Sequence, residues 1–293
     1  MAARPHPVDE FARGGPAVNP IGFSTLACPG WTIEMIITRA AELGYEGIEW
    51  RGGPEGHVQP EMSNAKKAIL QQMSMDTGVN AIAVTAYTNF VSERAEERQW
   101  NVEELKRYVD LAAELDAPYV RTFLGELPEG TKLVSSMYEK ISDCLNEAAD
   151  YASSVGVKIA VEPHDDFVLS STIVPLLSRV QHPALRVIWD IGNAFAAGED
   201  AKEGFELLKN RLAYVQVKDG ERNGSAWQLC SLGQGHVPLT KAFELLLAHG
   251  YEGALSVEWE YAWHPELDAP EIALPAALRT VRELLVAAQT ESA

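Results

Sequence analysis

Four polar side chains that carry oxygen donors recur near the ends of four consecutive apolar segments in the second half of the chain. They are Glu162, Asp190, Gln216 and Glu258. Three carboxylates held close together repel one another strongly unless a positive charge lies between them. A divalent cation would supply that charge, and an all-oxygen ligand set favours Mn²⁺ or Mg²⁺ over Zn²⁺ and leaves Co²⁺ open. The pattern predicts a metal site at these four residues, with Mn²⁺ as the expected ion.

Each of these four side chains also has an ordinary structural alternative. A carboxylate at a strand end can cap the following helix or pair with a cation such as Lys218, Arg51 or Arg121. The metal site is favoured because four such residues follow one another at matching depth in successive segments.

Two of the acids are also candidates for proton transfer. Glu162 and Glu258 come from strands three steps apart, so they approach a substrate from different sides. Proton removal next to a carbonyl creates an enediolate, which a cation beside its oxygen atoms stabilises. Returning the proton on the opposite face gives epimerisation, returning it to the neighbouring carbon gives aldose–ketose isomerisation, and losing a β-hydroxyl gives dehydration. The shared first step leaves these outcomes open.

Other polar and aromatic residues at the same ends are candidates for supporting roles. His164 is a candidate acid or substrate-orienting group, and Lys218 a candidate partner for the enolate charge. Glu49 and Arg121 are candidate substrate contacts, with an internal ion network as the alternative. Three tryptophans in loops are candidates for stacking on a sugar face, with packing as the alternative; they are Trp31, Trp227 and Trp263. The long segment 219–237 is a candidate lid.

The segments that carry these residues alternate between strand and helix patterns. Strands are predicted over 20–26, 45–51, 79–87, 118–125, 157–164, 185–192, 212–220 and 253–260. Helices are predicted over 32–43, 61–77, 96–116, 131–155, 171–181, 202–210, 238–249 and 270–288. Such alternation implies parallel strands with helical crossovers. Eight units without a glycine-rich phosphate loop favour an α/β fold of the (β/α)₈ TIM barrel type, whose active sites lie at the C-terminal ends of the strands.

Composition excludes several classes of protein. The chain has 293 residues, 46% of them hydrophobic, and a formal net charge of −18. The negative charge disfavours nucleic-acid binding, and no apolar run is long enough to span a membrane. Residues 1–19 contain no apolar signal segment and are predicted as a flexible extension, followed by one domain over 20–290. Three distant cysteines and the absence of a signal favour a cytoplasmic location.

Several stretches of the sequence together resemble the xylose isomerase-like TIM barrel superfamily. They are GFSTLACPGWTIEMIITRAAELGYEGIEWR, IAVEPHDDF, VIWDIGN, YVQVKDGERNG and LGQGHVPLTKAFELLLAHGYEGALSVEWE. Within that superfamily they are most similar to the sugar phosphate isomerase/epimerase group. The resemblance extends from about residue 20 to 260 and is weakly specific for any one substrate.

The resemblance implies a metal held by glutamate, aspartate, histidine and glutamate from strands five to eight. These ligands correspond to Glu162, Asp190, Gln216 and Glu258, so a glutamine replaces the usual histidine. Some 3-dehydroshikimate dehydratases of the superfamily are similar in having glutamine there.

Two further positions bear on the substrate. Ketose 3-epimerases have a substrate-binding arginine six residues after the strand-seven ligand, which corresponds to Arg222. They also have a histidine three residues after the aspartate, where this chain has Asn193. Both positions are therefore candidate substrate contacts, and at the second an asparagine amide replaces the imidazole.

Three hypotheses follow for the function. The first is a metal-dependent isomerase or epimerase of a sugar or sugar derivative in carbohydrate metabolism. The second is a metal-dependent lyase, either a 3-dehydroshikimate or inosose dehydratase or a C-glycoside deglycosylating subunit that needs a partner chain. The third is a non-catalytic binding barrel. The expected ligand is a small carbohydrate or polyol-like molecule, and similar barrels are frequently homo-oligomers.

Overall fold

The strands form a closed barrel and a separate hairpin. The computed structural model describes residues 19–224 and 226–291. In chain order, the strands are β1 (Ile21–Ser24), β2 (Gly47–Trp50), β3 (Asn80–Thr85), β4 (Tyr119–Thr122), β5 (Lys158–Val161), β6 (Leu185–Asp190), β7 (Leu212–Val217), β8 (Asp219–Asn223), β9 (Ala226–Cys230) and β10 (Leu255–Val257). All except β8 and β9 close into a parallel barrel in the order β1-β10-β7-β6-β5-β4-β3-β2. The predicted (β/α)₈ barrel is confirmed.

Helices connect the successive barrel strands. They are α1 (Ile33–Leu43), α2 (Asn64–Thr77), α3 (Ala95–Glu114), α4 (Ser135–Ser154), α5 (Ser170–Arg179), α6 (Ile191–Ala196), α7 (Ala201–Leu208), α8 (Leu239–Ala248) and α9 (Pro270–Glu291). The side chain of Thr32 caps the start of α1, which ends at Gly44 with a φ of 89°. A left-handed residue at this position is a common helix end, and glycine adopts it without strain. Within the described ranges, no helix is long and apolar enough to cross a membrane.

One short helix was not predicted from the sequence. The predicted sixth strand extends to residue 192, whereas β6 ends at Asp190 and α6 begins at Ile191. The Asp190 carboxylate accepts a hydrogen bond from the Asn193 amide at 2.9 Å. An aspartate at the N-cap satisfies a free amide of the first turn, which starts the helix here.

Apolar side chains fill the barrel from the inside as well as from the outside. The main core lies between the strands and the surrounding helices. A second cluster consists of strand residues only, namely Ile82, Ala83, Ala160, Ile188, Ala213 and Tyr214, each at most 5% exposed. Alternate residues of a strand face the same side, and Tyr214 precedes Gln216 by two residues. This layer therefore lies one inward-facing position closer to the N-terminal ends of the strands than Gln216 does.

The predicted extension over 1–19 lies outside the described residues, apart from Asn19. The Asn19 side chain donates to the carbonyl oxygens of Tyr251 and Gly253, at 2.8 and 2.9 Å. It therefore holds the chain entering β1 against the loop before β10.

The segment 219–237 is largely a hairpin and a tightly bonded turn. Strands β8 and β9 are antiparallel, with Asp219 opposite Cys230. The buried Asp219 carboxylate accepts hydrogen bonds from the backbone amides of Gly220, Gly233, Gly235 and Val237, at 2.8 to 3.1 Å. One side chain therefore joins the first strand of the hairpin to the turn that follows the second.

We expect Asp219→Ala to lower the free energy of unfolding by about 2–4 kcal/mol, because one hydrogen bond to a charged group contributes about 1.5–3 kcal/mol and water can satisfy most of the four released amides once the turn loosens. Equilibrium unfolding in urea measures this loss. The matched control is Asp143→Ala, an exposed aspartate on α4, whose expected change is within about 0.5 kcal/mol. Equal stability of the two variants would show that Asp219 does not hold the turn.

Candidate active site

The four predicted metal ligands lie together at the C-terminal end of the barrel. Asp190 ends β6 and pairs in register with Gln216 of β7. Glu162 directly follows β5, and Glu258 directly follows β10. All four side chains are buried, with exposed fractions between 0% and 4%. Because parallel barrel strands end at one face, four strands contribute to a single cluster.

The ammonium group of Lys218 lies among the carboxylates of this cluster. Its Nζ atom is 3.0 Å from Asp190 Oδ2 and 2.6 Å from Glu258 Oε2. It is also 2.7 Å from Glu260 Oε1. Burial acts to lower the pKa of Lys218, but the three carboxylates outweigh it and hold that pKa well above its ordinary value. Lys218 is therefore a fixed positive charge.

A glycine makes room for this lysine. A Cβ atom at Gly192, in the first turn of α6, would lie 2.4 Å from Lys218 Cγ. Contacts this short do not occur between carbon atoms, so any larger residue at 192 would displace the Lys218 side chain.

Arg121 supplies a second positive charge to the cluster. Its Nε atom lies 2.7 Å from Glu162 Oε2, in an ion pair whose side chains are 3% and 1% exposed. This contact brings the charges together without a directed hydrogen bond, since neither atom has a hydrogen-bond partner among the described residues. The guanidinium lies over the Phe123 ring at 4.0 Å and near the Tyr87 ring at 5.3 Å. The rings and Glu162 together fix the position of Arg121.

The amide of Gln216 is held from its nitrogen side. Its Nε2 atom donates to Glu49 Oε1 and to Glu258 Oε1, both at 3.1 Å. Gln216 Oε1 is buried and has no hydrogen-bond partner in the described part of the chain. An unsatisfied buried acceptor costs about 1–3 kcal/mol, so Oε1 is an atom that a bound ligand would satisfy.

The two candidate proton-transfer groups have pKa values shifted in opposite directions. Burial raises the pKa of Glu162 well above its ordinary value, although Arg121 acts against this shift. Burial also acts to raise the pKa of Glu258, but the Lys218 ammonium outweighs it, and the pKa of Glu258 lies below its ordinary value. Opposite shifts are typical of paired acids in which one carries a proton and the other accepts one.

Both glutamates open into one cavity of about 370 Å³. Its lining comprises Leu26, Tyr87, Arg121, Phe123, Glu162, His164, Lys218, Glu258, Glu260, Trp263 and His264. Tyr87 and Trp263 are 40% and 50% exposed, so they form part of the open rim. The cavity combines charged groups with apolar rings, as sites for small polar ligands commonly do.

His164 lies on this cavity, whereas five other substrate-contact candidates and the metal-ligand candidates Asp190 and Gln216 are not part of its described lining. The His164 ring packs at 4.5 Å from the Phe123 ring, and its Nδ1 is 2.9 Å from Asp165 Oδ1. The substrate-contact candidates absent from the described cavity lining are Trp227, whose ring lies 6.2 Å from the Phe195 ring, and four others: Trp31, Glu49, Asn193 and Arg222. Their roles as substrate contacts stay predictions.

These four side chains have other contacts. Trp31 donates from Nε1 to Glu271 at 3.2 Å on α9. Arg222 is exposed on β8, and its Nε donates to the Gly224 carbonyl at 3.4 Å. The Asn193 Nδ2 atom is buried without a hydrogen-bond partner among the described residues. Glu49 is fully buried and accepts from Gln216.

Sequence reasoning did not select five of the lining side chains as site residues, whereas Trp263, a stacking candidate, does lie on the rim. The five are Leu26, Tyr87, Phe123, Glu260 and His264. Phe123 and Glu260 each lie two positions beyond a selected residue and so share its strand parity, which is a usable signal. The loop residues carry no comparable periodic signal.

The donor set fits a divalent cation in its chemistry. Gln216 Oε1 is a buried oxygen atom without a hydrogen-bond partner among the described residues. The other oxygens have cationic neighbours: Asp190 Oδ2 lies 3.0 Å from Lys218 Nζ, and Glu162 Oε2 lies 2.7 Å from Arg121 Nε. A hard divalent cation suits oxygen ligands and would share these carboxylates with the two side chains. Within residues 19–224 and 226–291, no group of three or more His, Cys, Asp or Glu side chains is arranged as a metal site.

Comparison with known proteins identifies the relatives of the chain. The family model for the xylose isomerase-like TIM barrel matches residues 37–284. A fructoselysine 3-epimerase from Shigella flexneri is 24% identical over 264 residues, covering 86% of this chain and 93% of the relative. The solved structure of an L-ribulose 3-epimerase superimposes with a TM-score of 0.80 at 16% identity, covering 94% of this chain and 97% of that one. A magnesium complex of a xylose isomerase-like TIM barrel protein from Mycobacterium smegmatis has a TM-score of 0.68 at 17% identity, with coverage of 94% and 98%. The chain belongs to the xylose isomerase-like TIM barrel family.

Proposed function

We propose that this protein is a divalent-metal-dependent epimerase of a neutral ketose or ketose derivative. The observation that carries the proposal is the placement of Glu162 and Glu258 on one cavity, with pKa values shifted in opposite directions. The 3-epimerases named among the relatives support the carbon next to the carbonyl as the reacting position.

The two glutamates divide the proton transfers between them. Glu258 is ionised and removes the proton from the carbon beside the carbonyl, which leaves an enediolate. Glu162, whose pKa is raised, returns a proton to the same carbon from the other side, because β5 and β10 lie on different sides of the barrel. The positive charges of Lys218 and Arg121 lie beside these carboxylates and reduce the cost of the transient negative charge. His164 lies where it can orient a substrate hydroxyl.

The proposed cation is held by Glu162, Asp190, Gln216 and Glu258. When bound, it supplies positive charge to the enediolate oxygens. The ligands all present oxygen, which suits Mn²⁺ or Mg²⁺, and we propose Mn²⁺. The magnesium complex of a family member supports a hard divalent cation in this fold.

The cavity favours a substrate without a phosphate or carboxylate group. Each basic side chain that the structure describes in its lining is close to a carboxylate of the protein: Arg121 to Glu162, Lys218 to Glu258, His164 to Asp165 and His264 to Glu266. Apart from the proposed cation, which serves the enediolate oxygens, the described lining therefore offers no unpaired basic side chain to bind a phosphate or carboxylate group beside Glu162, Glu258 and Glu260.

A dehydratase is the second candidate function. Gln216 in place of the histidine ligand favours it, and Glu162, whose pKa is raised, lines the cavity where its carboxyl can protonate a departing hydroxyl so that it leaves as water. The same enediolate then loses a β-hydroxyl instead of regaining a proton.

The cytoplasm is the compartment that the cysteines favour. Cys28, Cys144 and Cys230 are free thiols in the part of the chain that the structure describes. Reducing compartments maintain free thiols, whereas exported proteins commonly pair them. The oligomeric state is left to measurement.

Hydrogen exchange into the substrate tests the proposed function. The Mn²⁺-loaded protein is incubated in deuterium oxide with neutral ketoses, with their phosphate esters as matched controls, and the carbon-bound protons are followed by NMR. We expect deuterium at the carbon beside the carbonyl of a neutral ketose, with no loss of water and little reaction of the esters. A new conjugated absorbance with 3-dehydroshikimate or an inosose would favour the dehydratase instead. No reaction with Mn²⁺, Mg²⁺ or Co²⁺ in either assay would contradict both.

A further inference from the structure

The fully buried Glu49 bonds to strands far from its own in the barrel. It lies on β2, and its partners lie on β10 and β7, two and three places away around the barrel. Its Oε1 accepts from Tyr214 Oη at 2.8 Å and from Gln216 Nε2 at 3.1 Å. Its Oε2 accepts from Ser256 Oγ at 2.7 Å. All three contacts lie inside the barrel beneath the cavity.

These contacts determine which way the Gln216 amide faces. Glu49 Oε1 also accepts from Tyr214 Oη, and Glu49 Oε2 accepts from Ser256 Oγ, so both oxygens act as acceptors. An amide donates only from its nitrogen, and the Gln216 nitrogen therefore faces Glu49 and Glu258. Both N–H groups of Gln216 are used in this way, at 3.1 Å each. The oxygen must then lie on the other side of the amide, where it has no hydrogen-bond partner among the described residues.

The Glu258 contact alone would hold the amide less firmly. Glu258 is also bonded to Lys218 at 2.6 Å and is a proposed proton-transfer group, so its charge changes during a reaction cycle. Glu49 is 0% exposed and is not among the described residues that line the cavity, so it keeps its contact throughout.

We propose that Glu49 is a positioning residue that acts through Gln216. It holds Gln216 Nε2 by a hydrogen bond and so leaves Oε1 without a partner in the described part of the chain, where Oε1 would serve as a ligand when a cation binds. This inference rests on the proposed function for the identity of the ligand, but the orientation of the amide is a property of the protein alone. This role of Glu49 also explains how glutamine can serve at a position where the family has histidine. The oxygen and nitrogen ends of an amide can exchange places by rotation, so a fixed hydrogen-bond partner is needed to keep the oxygen on the ligand side.

Two readouts test the inference. Isothermal titration with Mn²⁺ measures affinity, and NMR of protein labelled with ¹⁵N-glutamine follows the Gln216 side-chain amide, assigned from Gln216→Met. The variant Glu49→Met removes the acceptor at similar volume, and Glu49→Gln keeps an acceptor for Gln216 and a donor for Ser256. Ser256→Ala is the matched control, because it removes a bond to Glu49 that does not involve Gln216.

We expect Glu49→Met to weaken Mn²⁺ binding by about 10- to 100-fold, as loss of a group that orients a metal ligand commonly does. Glu49→Gln should recover most of that loss. In the Gln216→Met background, Glu49→Met should cause no further loss, because its effect passes through the amide. The Gln216 amide protons should exchange slowly in wild type and Glu49→Gln, and rapidly in Glu49→Met. If Glu49→Met does not fold, Glu49→Asp shortens the side chain at the same contact and should act in the same direction.

Two results would overturn the inference. One is an unchanged Gln216 amide signal in Glu49→Met. The other is a loss of Mn²⁺ affinity on Glu49→Met that is equal in the wild-type and Gln216→Met backgrounds. If wild type binds none of Mn²⁺, Mg²⁺ and Co²⁺, the metal part of the proposed function fails. The amide signal then still decides whether Glu49 positions Gln216, so the two failures are distinguishable.

Discussion

The Glu258→Gln variant is expected to catalyse the proposed ketose epimerisation about 10²- to 10⁴-fold more slowly than wild type, the usual contribution of a general base. This corresponds to about 2.7–5.5 kcal/mol in the activation barrier. Glu258 is the proposed base because its pKa lies below the ordinary value, and it lines the cavity. Glutamine keeps its size and can still contact Lys218, but it cannot accept a proton. Initial rates at saturating ketose measure the effect.

Glu260→Gln is the matched control for this experiment. Glu260 contacts the same ammonium at 2.7 Å, but its side chain is 21% exposed and lies farther out on the rim. We expect its turnover to fall by less than about tenfold, since a partly exposed ion pair contributes little. Equal losses in the two variants would indicate that Glu258 acts only by holding Lys218, and the assignment of the base would be wrong.

The Lys218→Met variant is expected to lose about 3–5 kcal/mol of unfolding free energy at neutral pH, because it leaves buried carboxylates without their counter-charge. Asp190 and Glu258 both lie within 3.0 Å of the ammonium that is removed. A divalent cation should restore part of this loss, by about 2.7 kcal/mol at a concentration 100 times its dissociation constant. Urea unfolding with and without Mn²⁺ measures both effects.

The loss in Lys218→Met should also depend on pH. In wild type, the depressed pKa of Glu258 contributes stability above the ordinary value of 4.5, and this stability is lost as pH falls through the folded-state pKa. Without Lys218 that contribution disappears, and burial raises the pKa of each carboxyl instead. The difference from wild type should therefore be smallest below the folded-state pKa of Glu258, which lies under 4.5, and should grow as pH rises toward neutral.

Lys209→Met serves as the control for an exposed lysine. Lys209 pairs with Glu206 at 2.6 Å, where that carboxylate is 51% exposed. A loss of about 0–1 kcal/mol, with little dependence on Mn²⁺, is expected there. A Lys218→Met protein as stable as wild type at neutral pH, without added cation, would rule out the ammonium as the counter-charge of the cluster.

The sequence predicted the barrel, and it predicted that the four oxygen donors lie at the same level near the C-terminal ends of their strands. Both predictions depend on short-range periodicity. Glu162, Asp190, Gln216 and Glu258 lie near the ends of four segments whose apolar runs mark buried strands. Once the fold is a parallel barrel, those ends must meet at one face. The helix ends at Gly44 and Gly78 were predictable for the same local reason.

Other features depended on contacts between residues distant in the chain. The hairpin of β8 and β9 was not predicted, because it depends on a buried carboxylate bonded to four backbone amides. The pairing of Arg121 with Glu162 and the reach of Glu49 to Gln216 required the barrel order as well as the strand positions. Trp263 was a stacking candidate from the sequence, but its contact with the Arg51 guanidinium, 4.3 Å from the ring centre, is one that no local pattern indicates.

The apolar layer inside the barrel has a kinetic consequence. The cluster that contains Ile188 and Tyr214 fills the barrel below Gln216, so the cavity above it is a dead end with respect to the barrel axis. A ligand that enters at the rim must leave past the same rim side chains, and the next molecule cannot enter until it has left. For the proposed epimerase, we therefore expect the substrate and its epimer to exclude each other, with the epimer as a competitive inhibitor and a net rate that declines as conversion proceeds.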